Sequence, residues 1–226
     1  MLKRLVKYLF MLFLAVFMAM MQFGNDAFSE ETLDHLVMKV QNFYEHTEDF
    51  EVSFVHKVPV RITGNIIIEH GTFFYKKPKR LRWEYKEPEG KTIVVNPEFM
   101  WFYLPDDNKV FVQETEAALQ SQLAVKFLAG LGNLKQDFEI TFKEPSHIDK
   151  EGNYLINLTP KGPAGGIRNL TLTIDKSEYF VTGYSLTDLY GNKNVYVFQN
   201  ILINKGLPDS LFEYEPPSGV KIEKLS

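Results

Sequence analysis

From residue 50 onward the hydrophobic period of this chain is two, and it stays two, in short runs, almost to the end. Phe50, Val52 and Phe54 alternate with Glu51 and Ser53; Leu81, Trp83 and Tyr85 alternate with Arg80, Arg82, Glu84 and Lys86. That period gives each strand one oily and one polar face. Residues 65–75, 79–86, 91–95, 99–104 and 109–114 are successive strand-like runs. Short links such as NPE and PDDN separate them, which is turn chemistry. Links that short join antiparallel neighbours only. Further runs follow at 137–143, 153–159, 168–175, 179–187, 193–204 and 211–214, with turns at KGPAGG (161–166) and YGNKN (190–194).

Two segments break the pattern. In 30–47, Leu33, Leu36, Val37, Val40, Phe43 and Tyr44 recur at steps of three and four, an amphipathic helix. In 116–131, Leu119, Leu123, Phe127 and Leu131 lie four apart, with Gly130 and Gly132 at the end. The expected fold is mainly β with α. It is a single curved antiparallel sheet of about eleven strands, with one helix before it and one in the middle. An open sheet that large curls or splits. With 19 Phe, 11 Tyr and 2 Trp, the volume it encloses is greasy.

The first residues set the compartment. Lys3, Arg4 and Lys7 precede an apolar run from Tyr8 to Phe23, and Ala27 and Ser29 are small residues at signal-peptidase spacing. Residues 1–29 therefore read as a cleaved signal peptide and 30–226 as one exported domain. A retained anchor is the alternative, but 16 residues make a helix of roughly 24 Å, short of the roughly 30 Å hydrocarbon core. Cleavage leaves 22 basic and 28 acidic residues, a net charge of −6. Such a body is a poor grip for nucleic acid. The basic run at Lys76–Arg82 reads as a solvated outer face that discourages edge pairing, or a contact for anionic headgroups or a charged partner.

Catalytic patterns are missing. There is no cysteine, no HExxH and no G-x-S-x-G. His35, His46, His56, His70 and His147 lack ligand spacing, and they read as satisfied or surface histidines. No metal, cofactor or catalytic residue is expected.

The run GTFFYKKPKRLRWEYKEP (71–88) resembles the G-x-F/L-x-x-x-[KR]-P-x-x-[LF]-x-W signature of the LolA family. MWFYLPDDNKV (100–110), FLAGLGNL (127–134), NLTP (157–160) and FEYEPPSGVKI (212–222) resemble later stretches of that family, in order. The resemblance implies an unclosed or half β-barrel covered by two or three helices. It implies a periplasmic chaperone that shields lipoprotein acyl chains in an apolar cavity. Its cargo would be lipidated proteins, received from an inner-membrane ATP-driven release complex and given to an outer-membrane acceptor. The chain would be a monomer without a cofactor. Where the family often has Arg before the signature proline, this chain has Lys77. A mobile point charge replaces a planar fork, so lid latching does not carry over unchanged.

On that reading Phe54, Leu81, Trp83, Ile93 and Val95 wall the cavity. Leu119, Leu123, Phe127 and Leu128 form the inner stripe of a helical cover, with Gly130 and Gly132 as hinge and Lys77 as a lid or transfer residue. Arg80, Arg82 and Lys86 face water. Two alternatives stay open. One is a same-fold binder or sensor of another amphiphile, such as a glycolipid, or a membrane-tethered acceptor. The other is a lipid hydrolase, which needs a polar constellation inside the cavity.

Overall fold

A computed structural model describes residues 31–60, 63–87, 90–121, 134–162 and 166–225. Residues from Leu33 onward form one unit. Its helices among the described residues are α1 (Leu33–Glu45), α2 (Thr115–Ser121) and α3 (Leu134–Asp137), with a 3-10 turn at Asp209–Phe212. Its strands are β1 (Asp49–Pro59), β2 (Ile66–Lys76), β3 (Arg80–Glu87), β4 (Thr92–Val95), β5 (Phe99–Leu104) and β6 (Lys109–Glu114) in the first half. The second half adds β7 (Phe138–Phe142), β8 (Tyr154–Pro160), β9 (Ile167–Ile174), β10 (Val181–Asp188), β11 (Lys193–Ile203) and β12 (Lys221–Lys224).

These strands make one unclosed, highly curved sheet in the order β12-β6-β5-β4-β3-β2-β1-β11-β10-β9-β8-β7. The two halves of the meander join through β1 and β11. Register slips at Glu51/Ser53, His70/Gly71 and Val181/Gly183 mark bulges in the middle strands. Each bulge bends its strand and sharpens the twist, so the sheet curls.

The strand count is twelve, one more than expected, and the set differs at the C-terminus. Residues 211–214 are not a strand. The Leu211 and Glu213 N–H groups donate within the 3-10 turn, to the Pro208 and Ser210 carbonyls, and Pro216 and Pro217 follow, so the segment does not join a ladder. The twelfth strand is β12, and it pairs with β6 in parallel, Lys221 beside Lys109 and Lys224 beside Val112. The sheet is antiparallel everywhere else.

The segment between β11 and β12 is a strap across the convex face. Asp49, buried at the start of β1, accepts from the backbone N–H groups of Lys205 and Gly206 at 2.8 and 2.9 Å. Lys76 donates to the Leu207 carbonyl and pairs with Asp209, both at 2.5 Å. Arg80 pairs with Asp209 at 3.2 Å, and Arg82 donates to the Leu211 carbonyl at 3.1 Å. Phe212 is buried, and the ring of Tyr214 meets that of Trp101 on β5. Val94 and Val110, convex-side residues of β4 and β6, are fully buried.

The basic run is therefore a junction, and the expectation that Arg80 and Arg82 face water is overturned. Both guanidiniums are largely covered, because carbonyls and a carboxylate of the strap lie over them. Lys79 pairs with Glu116 in the first turn of α2. Lys86 alone of the three named cations is exposed.

α1 lies on the other side of the sheet. Leu36, Val37 and Val40 are its buried stripe and share one core with Val52, Phe54 and Phe73. Its last turns pack by Phe43 on Phe180 and by Tyr44 on Phe50. Burial pushes the Tyr44 hydroxyl up to about 12, so it stays neutral and accepts from the Val181 N–H.

Candidate functional site

The concave face is built by parity. Along β1, Phe50, Val52, Phe54 and His56 point one way. β2 sets Tyr75, Phe73, Gly71 and Glu69 opposite them. β3 sets Leu81, Trp83 and Tyr85 beside those, and β4 adds Val95 and Ile93. On the far side β11 and β10 bring Tyr196 and Tyr184. The result is an aromatic floor. Trp83 stacks on Phe73 at 4.1 Å, and Phe54 meets Trp83 at 5.4 Å and Tyr85 at 4.9 Å.

Four of the five wall residues nominated from sequence, Phe54, Leu81, Trp83 and Val95, are buried in one cluster, and Ile93 packs against it half-buried. The structure brings these five together from β1, β3 and β4, with β2 between the first two. Leu119 falls on α2, but its side chain lies outside the described set. Leu123, Phe127, Leu128, Gly130 and Gly132 lie outside the described residues, as does the apolar run of 1–29. Lys77 sits at the C-terminal end of α1. It donates to the Glu45 carbonyl at 2.7 Å, with Glu48 at 3.8 Å, which places a cation at the negative end of the helix dipole.

Sequence reasoning missed one feature. At the end of the concave face away from the C-terminal end of α1 lies a buried polar cluster. His56 Nδ1 is 2.6 Å from Glu69, and Lys91 donates to the other Glu69 oxygen at 2.5 Å. The His56 ring stacks on Tyr196 at 3.9 Å, and Tyr196 in turn stacks on Tyr184 at 4.6 Å. The Tyr85 and Tyr196 hydroxyls are 3.0 Å apart. Burial is the largest influence on His56 and pulls its pKa below the ordinary imidazole range, against the opposing pull of Glu69. The direction makes sense because Lys91 already neutralises Glu69. Burial raises Tyr85, Tyr184 and Tyr196 too, Tyr196 to about 12. At neutral pH His56 thus donates from Nδ1 to Glu69, and the tyrosines keep their protons. One signal in the sequence pointed here: His56 shares parity with Val52 and Phe54.

His56 contacts Glu69 and aromatic rings, and among the described residues no serine or threonine hydroxyl is shown bonded to it. Among the described residues no group of three or more His, Cys, Asp or Glu is placed to hold a metal ion. None of their helices is long and apolar enough to cross a membrane.

Comparison with known proteins adds the rest. The family described as "Outer membrane lipoprotein carrier protein LolA" matches residues 45–215. A protein of Methylococcus capsulatus named outer-membrane lipoprotein carrier protein is 30% identical over 152 residues, 67% of this chain and 70% of that one. A relative of the same name from Nitrosospira multiformis is 27% identical over 184 residues, covering 81% of this chain and 86% of that one. Among solved structures, an uncharacterized conserved protein of Thermus thermophilus superposes with a TM-score of 0.55 at 12% identity, over 85% of this chain and 98% of that one. That likeness is one of fold.

Proposed function

The chain belongs to the LolA family, and from that premise we propose that it is a non-enzymatic carrier whose concave aromatic face shields the acyl chains of lipoproteins. One observation carries the proposal: Phe54, Leu81, Trp83, Ile93 and Val95 form a continuous apolar wall on the inside of a sheet that does not close. Each methylene removed from water contributes about 0.8 kcal/mol, so several acyl chains bind strongly without polar recognition. Most of this wall is already buried by the chain's own side chains. Cargo enters by displacing protein side chains, and the same side chains return on release. That exchange keeps net affinity moderate, as a carrier requires.

Leu119, Leu123, Phe127 and Leu128 supply the displaced cover in this reading, with Gly130 and Gly132 as its hinge. Lys77 ties the signature turn to the end of α1 and so steadies one end of the mouth. The Trp83 Nε1–H, buried and without a partner among the described residues, is a donor suited to an acyl ester oxygen. The protein works in the periplasm as a monomer. It receives lipidated proteins from an ATP-driven inner-membrane release complex and passes them to an outer-membrane acceptor.

The test is binding of a synthetic diacylglyceryl peptide to the purified protein, followed by tryptophan quenching. Wild type should bind it, and Ile93→Asp, at the half-buried member of the wall, should lose at least tenfold in affinity while remaining folded by circular dichroism. No binding by wild type overturns the carrier reading. Hydrolysis of the probe would move the assignment to an esterase.

A further inference from the structure

We propose that the β1–β2 hairpin is an apolar finger that docks the open rim of the sheet onto an anionic phospholipid membrane. This goes beyond cargo shielding and rests on a separate surface. β1 pairs with β11 only as far as Lys57 with Val195, and β2 with β3 only as far as His70 with Glu87. Beyond those points β1 and β2 pair only with each other, from Val58 with Ile67 to Pro59 with Ile66. The end of the hairpin is a free two-stranded ribbon that projects past its neighbours.

The ribbon is oily on both sides. Ile66, Ile67 and Ile68 are 61%, 44% and 50% exposed, although successive strand residues point to opposite faces. On the same edge of the sheet the β10–β11 turn presents Leu189 at 61% and Tyr190 at 82% exposed. Five large exposed side chains on one rim are more than scattered surface apolar residues, and they mark a contact surface. An exposed Tyr beside aliphatic fingers matches the chemistry of a lipid–water interface.

Charge selects the kind of partner. Lys57 on β1, Lys86 on β3 and Lys193 on β11 lie on this rim beside the ribbon, all exposed, with the exposed Arg168 farther along it on β9, three strands from β1. The nearest described carboxylate of the adjoining turns, Asp188, is folded back onto the backbone N–H groups of Tyr190 and Asn192. Glu87 ends β3 opposite His70, so Lys57, Lys86 and Lys193 stand against Glu87 and the engaged Asp188, while Asp106 and Asp107 lie in the β5–β6 turn, three strands from β2. A chain of net charge −4 thus shows a locally basic, apolar corner. Basic side chains around inserted apolar ones attract anionic headgroups and bury aliphatic side chains at the acyl boundary. The His56–Glu69–Lys91 cluster lies at the root of the ribbon and holds both of its strands against the β3–β4 turn. Docked this way, the mouth of the concave face meets the bilayer from which acyl chains leave or into which they go.

The experiment is co-sedimentation of wild type and an Ile66→Ser/Ile67→Ser/Ile68→Ser variant with vesicles of phosphatidylcholine, with or without phosphatidylglycerol. Both proteins carry the same N-terminus, so that segment contributes equally. Wild type should bind the anionic vesicles at least tenfold more tightly than the neutral ones. The triple variant should lose at least tenfold on the anionic vesicles, and Lys57→Glu/Lys193→Glu should remove the preference for them. Equal sedimentation of wild type and the triple variant, or none by wild type, overturns the proposal; the latter result points to a protein partner at this rim. The soluble diacylglyceryl peptide is measured on the same preparations. If it binds wild type and the triple variant alike while vesicles bind neither, the finger fails and the carrier reading stands. If wild type does not bind it, the carrier reading fails on its own.

Discussion

Replacing Gly71 by Ala should damage the concave wall more than any other single methyl added to it. Gly71 lies on β2 between Phe54 of β1 and Tyr85 of β3, beside the bulge at His70. A Cβ on its backbone would fall 2.1 Å from the Glu84 carbonyl oxygen and 2.4 Å from Cζ of Phe54. The ring can rotate away, but the carbonyl belongs to a paired strand. Relief at that oxygen needs a backbone shift of roughly 1 Å, which the β2–β3 ladder resists, so the upper end of the overpacking range applies, about 3 kcal/mol. For a domain of this size that is a fall in Tm of roughly 6–12 °C. Thermal unfolding followed by circular dichroism measures it. The Phe54→Leu background separates the two clashes: Gly71→Ala should still destabilise there, because the carbonyl remains. A Tm within about 2 °C of the parent in both backgrounds would mean that β2 and β3 have slack at this point, and the account of the wall as close-packed would be wrong.

The strap makes a second prediction: Phe212→Ala should cost about 3 kcal/mol in urea unfolding, as for a large buried aromatic side chain. Asp209→Asn should cost far less, and only at low ionic strength, since its partners are partly solvated; equal effects would show that ion pairing, not burial, holds the strap. For His56, the folded-state pKa lies below its unfolded value near 6.5. The unfolded chain then binds more protons between the two values, so stability should be full above about pH 6.5 and decline as pH falls toward the folded pKa. Urea unfolding from pH 7.5 to 5 measures the slope, His56→Phe should flatten it, and an NMR titration placing His56 above 6.5 would reverse the sign.

The antiparallel meander was legible because its cues are local. Alternation and turn residues lie within a few positions of one another, so β1 to β11 fall close to the runs read from sequence, and α1 trims the expected 30–47 to Leu33–Glu45. The wall residues followed from the same parity. What parity cannot say is which face something else covers. Residues 211–214 alternate like a strand, yet their apolar side chains pack down onto the convex side, and the backbone joins no ladder. A clue was present: Val94 and Val95 are adjacent and both buried, and a run apolar at consecutive positions signals burial on two faces. Strand ends are equally silent. Ile66–Ile68 read as an ordinary strand, and it is indeed paired. Its exposure follows from β3 and β11 stopping short, which is information held elsewhere in the chain.

The basic run shows how one short stretch serves several elements. Lys76, Arg80 and Arg82 fasten the strap, Lys77 holds the end of α1, and Lys79 reaches the start of α2. Three segments distant in sequence are thus tied to one turn between β2 and β3. A sheet that does not close needs such ties, because no ring of hydrogen bonds fixes its curvature. On the proposed carrier reading, fixing the convex face would let the concave one exchange its own side chains for a ligand without the sheet flattening. The cations that sequence alone suggested for meeting a partner are spent on the scaffold. Among the exposed cations, Lys57, Lys86, Arg168 and Lys193 lie at the opposite end, around the rim through which cargo would pass.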